Sequence, residues 1–280
     1  MTARAQKPRE TLLIRPRTGW TSLDIGELWA YRELLFFLVW RDLKVRYRQT
    51  IFGAAWAILQ PVLLMVVFTL FLGRLGGIAP SGTPYPIFVF AALVPWTLFA
   101  QSLSGASGSV VNATNLVQKV YFPRLLLPLA SIASYVLDFL IALAVLAVLM
   151  VWFGVGLSPS TVWLIPLTAL CICAVLGAGI WLAAINVRYR DVRYAVPFLV
   201  QLLLFTTPVA YGTDLVPVAW RGLYELNPMA GVVEGFRWAI LGIGAAPVEA
   251  VTISALVSVF VLATGLAYFR RVERTFADVI

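Results

Sequence analysis

The sequence predicts an all-α protein made of membrane-crossing helices. Three observations carry that prediction. Hydrophobic residues fill 61% of the 280 positions and charged residues only 12%. The mean hydropathy is +0.90. The charges gather in short blocks between long uncharged runs. A soluble domain carries roughly 25% charged residues, and a chain this apolar lacks the polar surface to cover a core in water. Soluble enzymes, DNA-binding domains and disordered tails are excluded on that ground.

Residues 1–23 read as a basic, polar cytoplasmic tail. No apolar stretch follows at the distance a secretory signal requires, so the chain is expected to insert through its first membrane helix and to keep its N-terminus. Residues 24–50 open with Asp24 and Glu27, an acidic start typical of helices. Leu28, Tyr31, Leu35 and Leu38 share one helical face, and Arg41, Lys44 and Arg48 cluster toward the end. With Trp29, Tyr31, Trp40 and Tyr47 at headgroup depth, this predicts an amphipathic helix in the cytoplasmic interface. A charged flank that merely sets topology is the alternative.

Residues 51–280 form the membrane domain. A helix needs about 20 mostly apolar residues to cross the hydrocarbon layer. Six segments qualify: 51–73, which contains Pro61, then about 86–103, 125–153, about 161–185, 195–211 and 251–269. Six crossings put both termini on one side. With that topology, 18 Lys and Arg fall on the side of the termini and 3 (Arg74, Arg221, Arg237) on the other. The positive-inside rule then makes both termini cytoplasmic. The net charge of +8 is a topology signal, and nucleic-acid binding is not needed to explain it. Residues 212–250 are long for a connector. Val232, Val233, Phe236 and Ile240 mark an apolar face there, with Glu234 and Arg237 placed to pair on the other side. We expect a re-entrant or interfacial helical pair before the last span, the alternative being a surface-packed loop.

Several chemistries are missing. There is no His, hence no imidazole base or metal ligand, and Cys171 and Cys173 sit in an apolar run that suits small packed side chains. No Gly-Lys pair occurs, so there is no phosphate-binding loop for hydrolysing ATP. Asp138 is the one charge within the spans, on a helical face with Ser131, Ser134 and Tyr135. This stripe should point into the protein, either to hold helices together or to line a path. A transporter with neither an engine nor a coupling-ion relay needs a partner that supplies energy. The segment 105–124, cytoplasmic and weakly helical, offers such a partner a place to dock.

Four stretches carry a resemblance: RDLKVRYRQTIFGAAWAILQP (41–61), NLVQKVYFPRLLLPLA (115–130), NVRYRDV (186–192) and LNPMAGVVEGFRWAIL (226–241). In order and spacing, from about residue 25 to the end, the chain resembles the permease subunit of type-two ATP-binding-cassette exporters. It is most similar to the branch serving bacterial cell-surface polysaccharides, namely O-antigen, capsule and teichoic acid. The resemblance implies a homodimer in the inner membrane joined to two copies of a separate ATPase. That ATPase would use the ATP and magnesium, leaving this chain without a cofactor, a metal or a catalytic residue. It also implies a lipid-linked polysaccharide as cargo. Docking would fall to Val117, Lys119 and Arg124, with Arg41 and Lys44 of the interfacial helix. Aromatic side chains suited to stacking on sugars would line the path, namely Phe52, Trp56 and Phe68 of the first span and Phe205 and Tyr211 of the fifth. The pair holding Glu234 and Arg237 would be the extracytoplasmic gate. Arg188, Arg190 and Arg193 would dock the partner or grip a lipid phosphate, unless they are topology signals alone. Competing readings are a drug, lipid or haem exporter, a membrane-embedded enzyme acting on lipid-linked sugars, and a secondary carrier.

Overall fold

A computed structural model describes residues 25–48, 53–78, 83–242 and 244–276. Phe52, Asp24 and the tail 1–23 lie outside them. The regular secondary structure of the described residues is all helical, with no strand among them.

Helix α1 (Ile25–Ala30) runs through Tyr31 into α2 (Arg32–Tyr47). Helix α3 (Trp56–Phe68) continues as a π-helical stretch, Thr69–Leu75, where the Gly76 amide reaches back to the Phe71 carbonyl. Helix α4 (Tyr85–Asn112) begins beside Pro84 and Pro86, where a missing amide proton costs nothing, and carries Pro95 in its interior. Helix α5 is Thr114–Lys119 and α6 is Leu126–Trp152. A 3-10 turn, Pro159–Trp163, leads into α7 (Leu164–Arg188), and α8 spans Val192–Thr206. Helices α9 (Val218–Glu225) and α10 (Pro228–Leu241) precede α11 (Val248–Val272).

The expected boundaries shift in two places. The second span does not stop near residue 103 but runs unbroken to Asn112, so the first part of 105–124, where docking was expected, is an extension of α4 and only α5 is separate. The helix expected over 195–211 ends at Thr206, and residues 207–212 are irregular. Among the described residues, five helical segments are long and apolar enough to cross a membrane: Trp56–Leu75, Tyr85–Asn112, Leu126–Trp152, Pro159–Arg188 and Val248–Thr275. Helix α8, at 15 residues, is shorter.

Helix α4 is the centre of the bundle. From Ile87 to Trp96 it is buried on every side, against α3, α6, α7, α8 and α10. A helix apolar all round suits such a position. Helices α7 and α11 meet through Gly177 and Gly265. A Cβ on Gly177 would lie 2.6 Å from the Leu262 amide nitrogen, so the backbones approach as only small residues permit in a membrane. A second cluster closes the end of the bundle that holds α2 and α5, joining Leu38 of α2, Val110 of α4, Val117 of α5, Phe122 and Leu126 to Phe269 and Phe276.

Candidate functional site

Two polar nodes stand out in this apolar body. The first joins α2 to α6. Asp138, expected to face inward, is buried there. Arg46 Nη1 donates to its Oδ2 at 2.7 Å, and the Tyr47 hydroxyl donates to its Oδ1. Arg46 Nη2 donates to Ser134 Oγ at 2.8 Å, while the guanidinium lies 3.7 Å above the Tyr135 ring. The Ser134 hydroxyl proton goes to the Ser131 carbonyl, leaving an oxygen lone pair for Arg46. Of the open alternatives for the polar stripe, the contacts match helix holding.

The second node surrounds Arg237 of α10. The sequence marks both ends of this helix. The Asn227 side chain caps it by accepting from the Met229 amide at 3.0 Å, Pro228 opens it, and Gly242 ends it with φ at 65°. Arg237 is only 7% exposed, and its guanidinium does not pair with Glu234 as expected. It donates instead to the carbonyls of Phe88 (3.3 Å), Tyr211 (3.0 Å) and Val209 (2.5 Å), and lies 3.8 Å above the Phe88 ring. The physical reason lies in residues 207–212. These leave helical geometry while Thr207–Ala210 are buried, so their carbonyls need donors from elsewhere. Arg237 supplies two, Tyr85 a third by donating to the Ala210 carbonyl at 2.5 Å, and Asn227 bonds Thr207 Oγ1 at 2.8 Å. Glu234 turns the other way, into a cavity of about 220 Å³ lined also by Thr213, Asp214, Arg221, Tyr224 and Glu225. Burial raises its carboxyl above the usual range, against the opposing pull of a Thr213 hydrogen bond and of Arg237.

The other candidates fall as follows. Trp56 and Phe205 are exposed on α3 and α8. The Tyr211 hydroxyl donates to the Phe205 carbonyl at 2.7 Å and accepts from Tyr224 at 3.0 Å, which ties the end of α8 to α9. Phe68 does not share the open face of Trp56 and is buried in the core. Twelve residues at 100° each set the two about 120° apart around the helix. On α5 Val117 is buried and Lys119 exposed. Arg124 is committed to the C-terminal turn, donating to the Glu273 carbonyl and lying 5.8 Å from the Phe276 ring. Arg41 pairs with its neighbour Asp42 at 2.9 Å, and Lys44 is exposed, as are Arg188, Arg190 and Arg193. Sequence reasoning missed Arg46, Tyr47 and Tyr85. The signal for the first two was a lone carboxylate in a span, which calls for a cation, with the basic run 41–48 as the nearest supply.

A bundle of apolar helices packed around one central helix, with two polar nodes buried in it, is the build of a membrane-embedded protein. The chain belongs to the ABC-2 type transporter family, whose signature covers residues 33–241, and it is an integral membrane permease. Among its relatives, the O-antigen export system permease protein RfbA of Myxococcus xanthus is 30% identical over 259 residues, 91% of this chain and 98% of that protein. The protein of the same name from Klebsiella pneumoniae is 27% identical over 250 residues, 89% of this chain and 95% of the relative. The polysialic acid transport protein KpsM of Escherichia coli is 26% identical over 249 residues, 86% and 93% of the two chains.

Proposed function

We propose that this protein is the membrane permease of an ATP-driven exporter that carries a lipid-linked cell-surface polysaccharide, of O-antigen, capsule or teichoic-acid type, across a bacterial inner membrane. The observation that carries the reading is similarity over nearly the whole length of relatives named for O-antigen and polysialic acid export. Two copies of the chain join two copies of an ATPase that binds the ATP and magnesium, while the permease itself carries no cofactor. The missing phosphate loop supports that division of labour.

In this reading the chain crosses the membrane six times with both termini in the cytoplasm. Helix α8 rises about 22 Å at 1.5 Å per residue, short of the roughly 30 Å hydrocarbon layer, and residues 207–211 complete the crossing. Non-helical backbone is tolerated at that depth only where protein satisfies it, which is the service Arg237 and Tyr85 perform. Helices α9 and α10 form a re-entrant gate. The exposed apolar faces of α3 (Leu63, Val66) and α8 (Phe198, Leu202) support a homodimer seam, with Trp56, Phe205 and Tyr211 along the path. Helix α5, with Val117 and Lys119, docks the ATPase beside α2.

Deletion in the native host tests the reading. Surface polysaccharide should disappear while lipid-linked glycan accumulates inside, and the restored gene should reverse both. Normal surface glycan in the deletion strain refutes it.

A further inference from the structure

The node between α2 and α6 does more than neutralise a buried carboxylate. We propose that Arg46 and Tyr47 with Asp138 form a latch that transmits movement of the cytoplasmic helix α2 to the membrane helix α6, making Arg46 and Asp138 positioning residues for transport. The inference rests on the proposed function and names a coupling element within it.

Position is the first argument. Asp138 is the thirteenth residue of α6, about 18 Å along it at 1.5 Å per residue. The last turn of α2 therefore sits beside the interior of a span and not at its cytoplasmic end. Eight residues earlier on α2, Leu38 is buried in the cluster that holds Val117 of α5 and Phe276. One helix thus has two attachments about 12 Å apart, one to the cluster, which also holds Leu126, Leu127 and Ala130 at the start of α6, and one to Asp138 further along α6. Held at both points, α2 and α6 move as one body when the cluster is displaced.

Geometry is the second argument. Consecutive residues of α2 take the two oxygens of one carboxylate, and Arg46 adds Ser134 and the Tyr135 ring. Apolar packing alone would tolerate sliding and rotation of the helix end. One carboxylate oxygen held by Arg46 and the other by the Tyr47 hydroxyl, with the second guanidinium nitrogen on Ser134, restrain both, because hydrogen bonds weaken steeply away from linear geometry. The Asp138 side chain is 11% exposed and that of Arg46 26%, so intermediate arrangements with the charges parted are disfavoured. The Tyr135 ring completes the fit. It packs so closely on Gly105 of α4 that a Cβ there would lie 2.5 Å from it, which joins α4 to the same node.

The test uses the full-length chain in its complex with the ATPase, purified from native membranes, with export followed in cells. Asp138→Asn keeps the shape and removes the charge. It should lower export at least tenfold at matched membrane levels, with ATP hydrolysis within about twofold of the parent. Arg46→Lys should lose less than Arg46→Gln, and Arg46→Gln/Asp138→Asn should export no worse than the poorer single variant, because the two residues act as one unit. Amide exchange of the detergent-solubilised chain reads the latch without cargo: Asp138→Asn should speed exchange over residues 44–48 at least tenfold. Unchanged exchange there, or export losses that only follow the amount of folded protein, overturns the latch. A parent complex that neither exports glycan nor hydrolyses ATP refutes the proposed function instead, and the exchange measurement still judges the latch.

Discussion

Replacing Arg237 by Met should show how much of the turn after α8 depends on one side chain. The substitution keeps an unbranched side chain of moderate length and removes three charge-assisted hydrogen bonds to the Phe88, Val209 and Tyr211 carbonyls. Hydrogen bonds to charged groups contribute about 1.5–3 kcal/mol each, so the loss at the low end is about 4.5 kcal/mol. Removing a buried cation relieves part of its desolvation, which acts in the opposite direction. The expected net destabilisation is about 3 kcal/mol, with Arg237→Lys near half of that because an ammonium on a shorter reach cannot serve three acceptors. Reversible unfolding of the detergent-solubilised protein by SDS titration, followed by tryptophan fluorescence, measures it. Limited proteolysis should cut first within residues 207–212, whose carbonyls lose their donors. An Arg237→Met protein within about 0.5 kcal/mol of the parent, with no new cleavage there, would refute the account of this segment.

Phe276→Ala removes a fully buried ring from the cytoplasmic cluster and should cost about 3 kcal/mol in the same titration; a change below about 1 kcal/mol would mean that the C-terminal turn does not close the cluster. Val117→Pro breaks α5 and should abolish co-purification of the ATPase while membrane insertion stays intact, whereas undiminished co-purification removes α5 from the docking site. Trp56→Ala and Tyr211→Ala should slow export at matched expression and leave basal ATP hydrolysis within about twofold. Trp163→Ala, at an exposed ring against Trp238, should do less, and the reverse order would mean that the path runs elsewhere.

The sequence by itself determined the solvent of this protein and the class of its fold. Composition excluded water and run length placed the apolar helices, because both are read over short stretches of chain. Family membership was legible for the same reason, in four ordered stretches. What the tertiary structure decided was which polar group answers which. Glu234 and Arg237 are three residues apart and read as a pair, yet the irregular turn after α8 offered carbonyls with a stronger claim on the guanidinium. Asp138 demanded a cation in the sequence, but only folding brought Arg46 to it across 92 positions. Arg124, read as a docking charge, was taken by the C-terminal turn, and Phe68 was turned into the core by the phase of its helix. Periodicity and caps act within a few residues along the chain. Buried hydrogen-bond partners are chosen by whichever groups the packed helices leave without water, and that choice exists only once the bundle has formed.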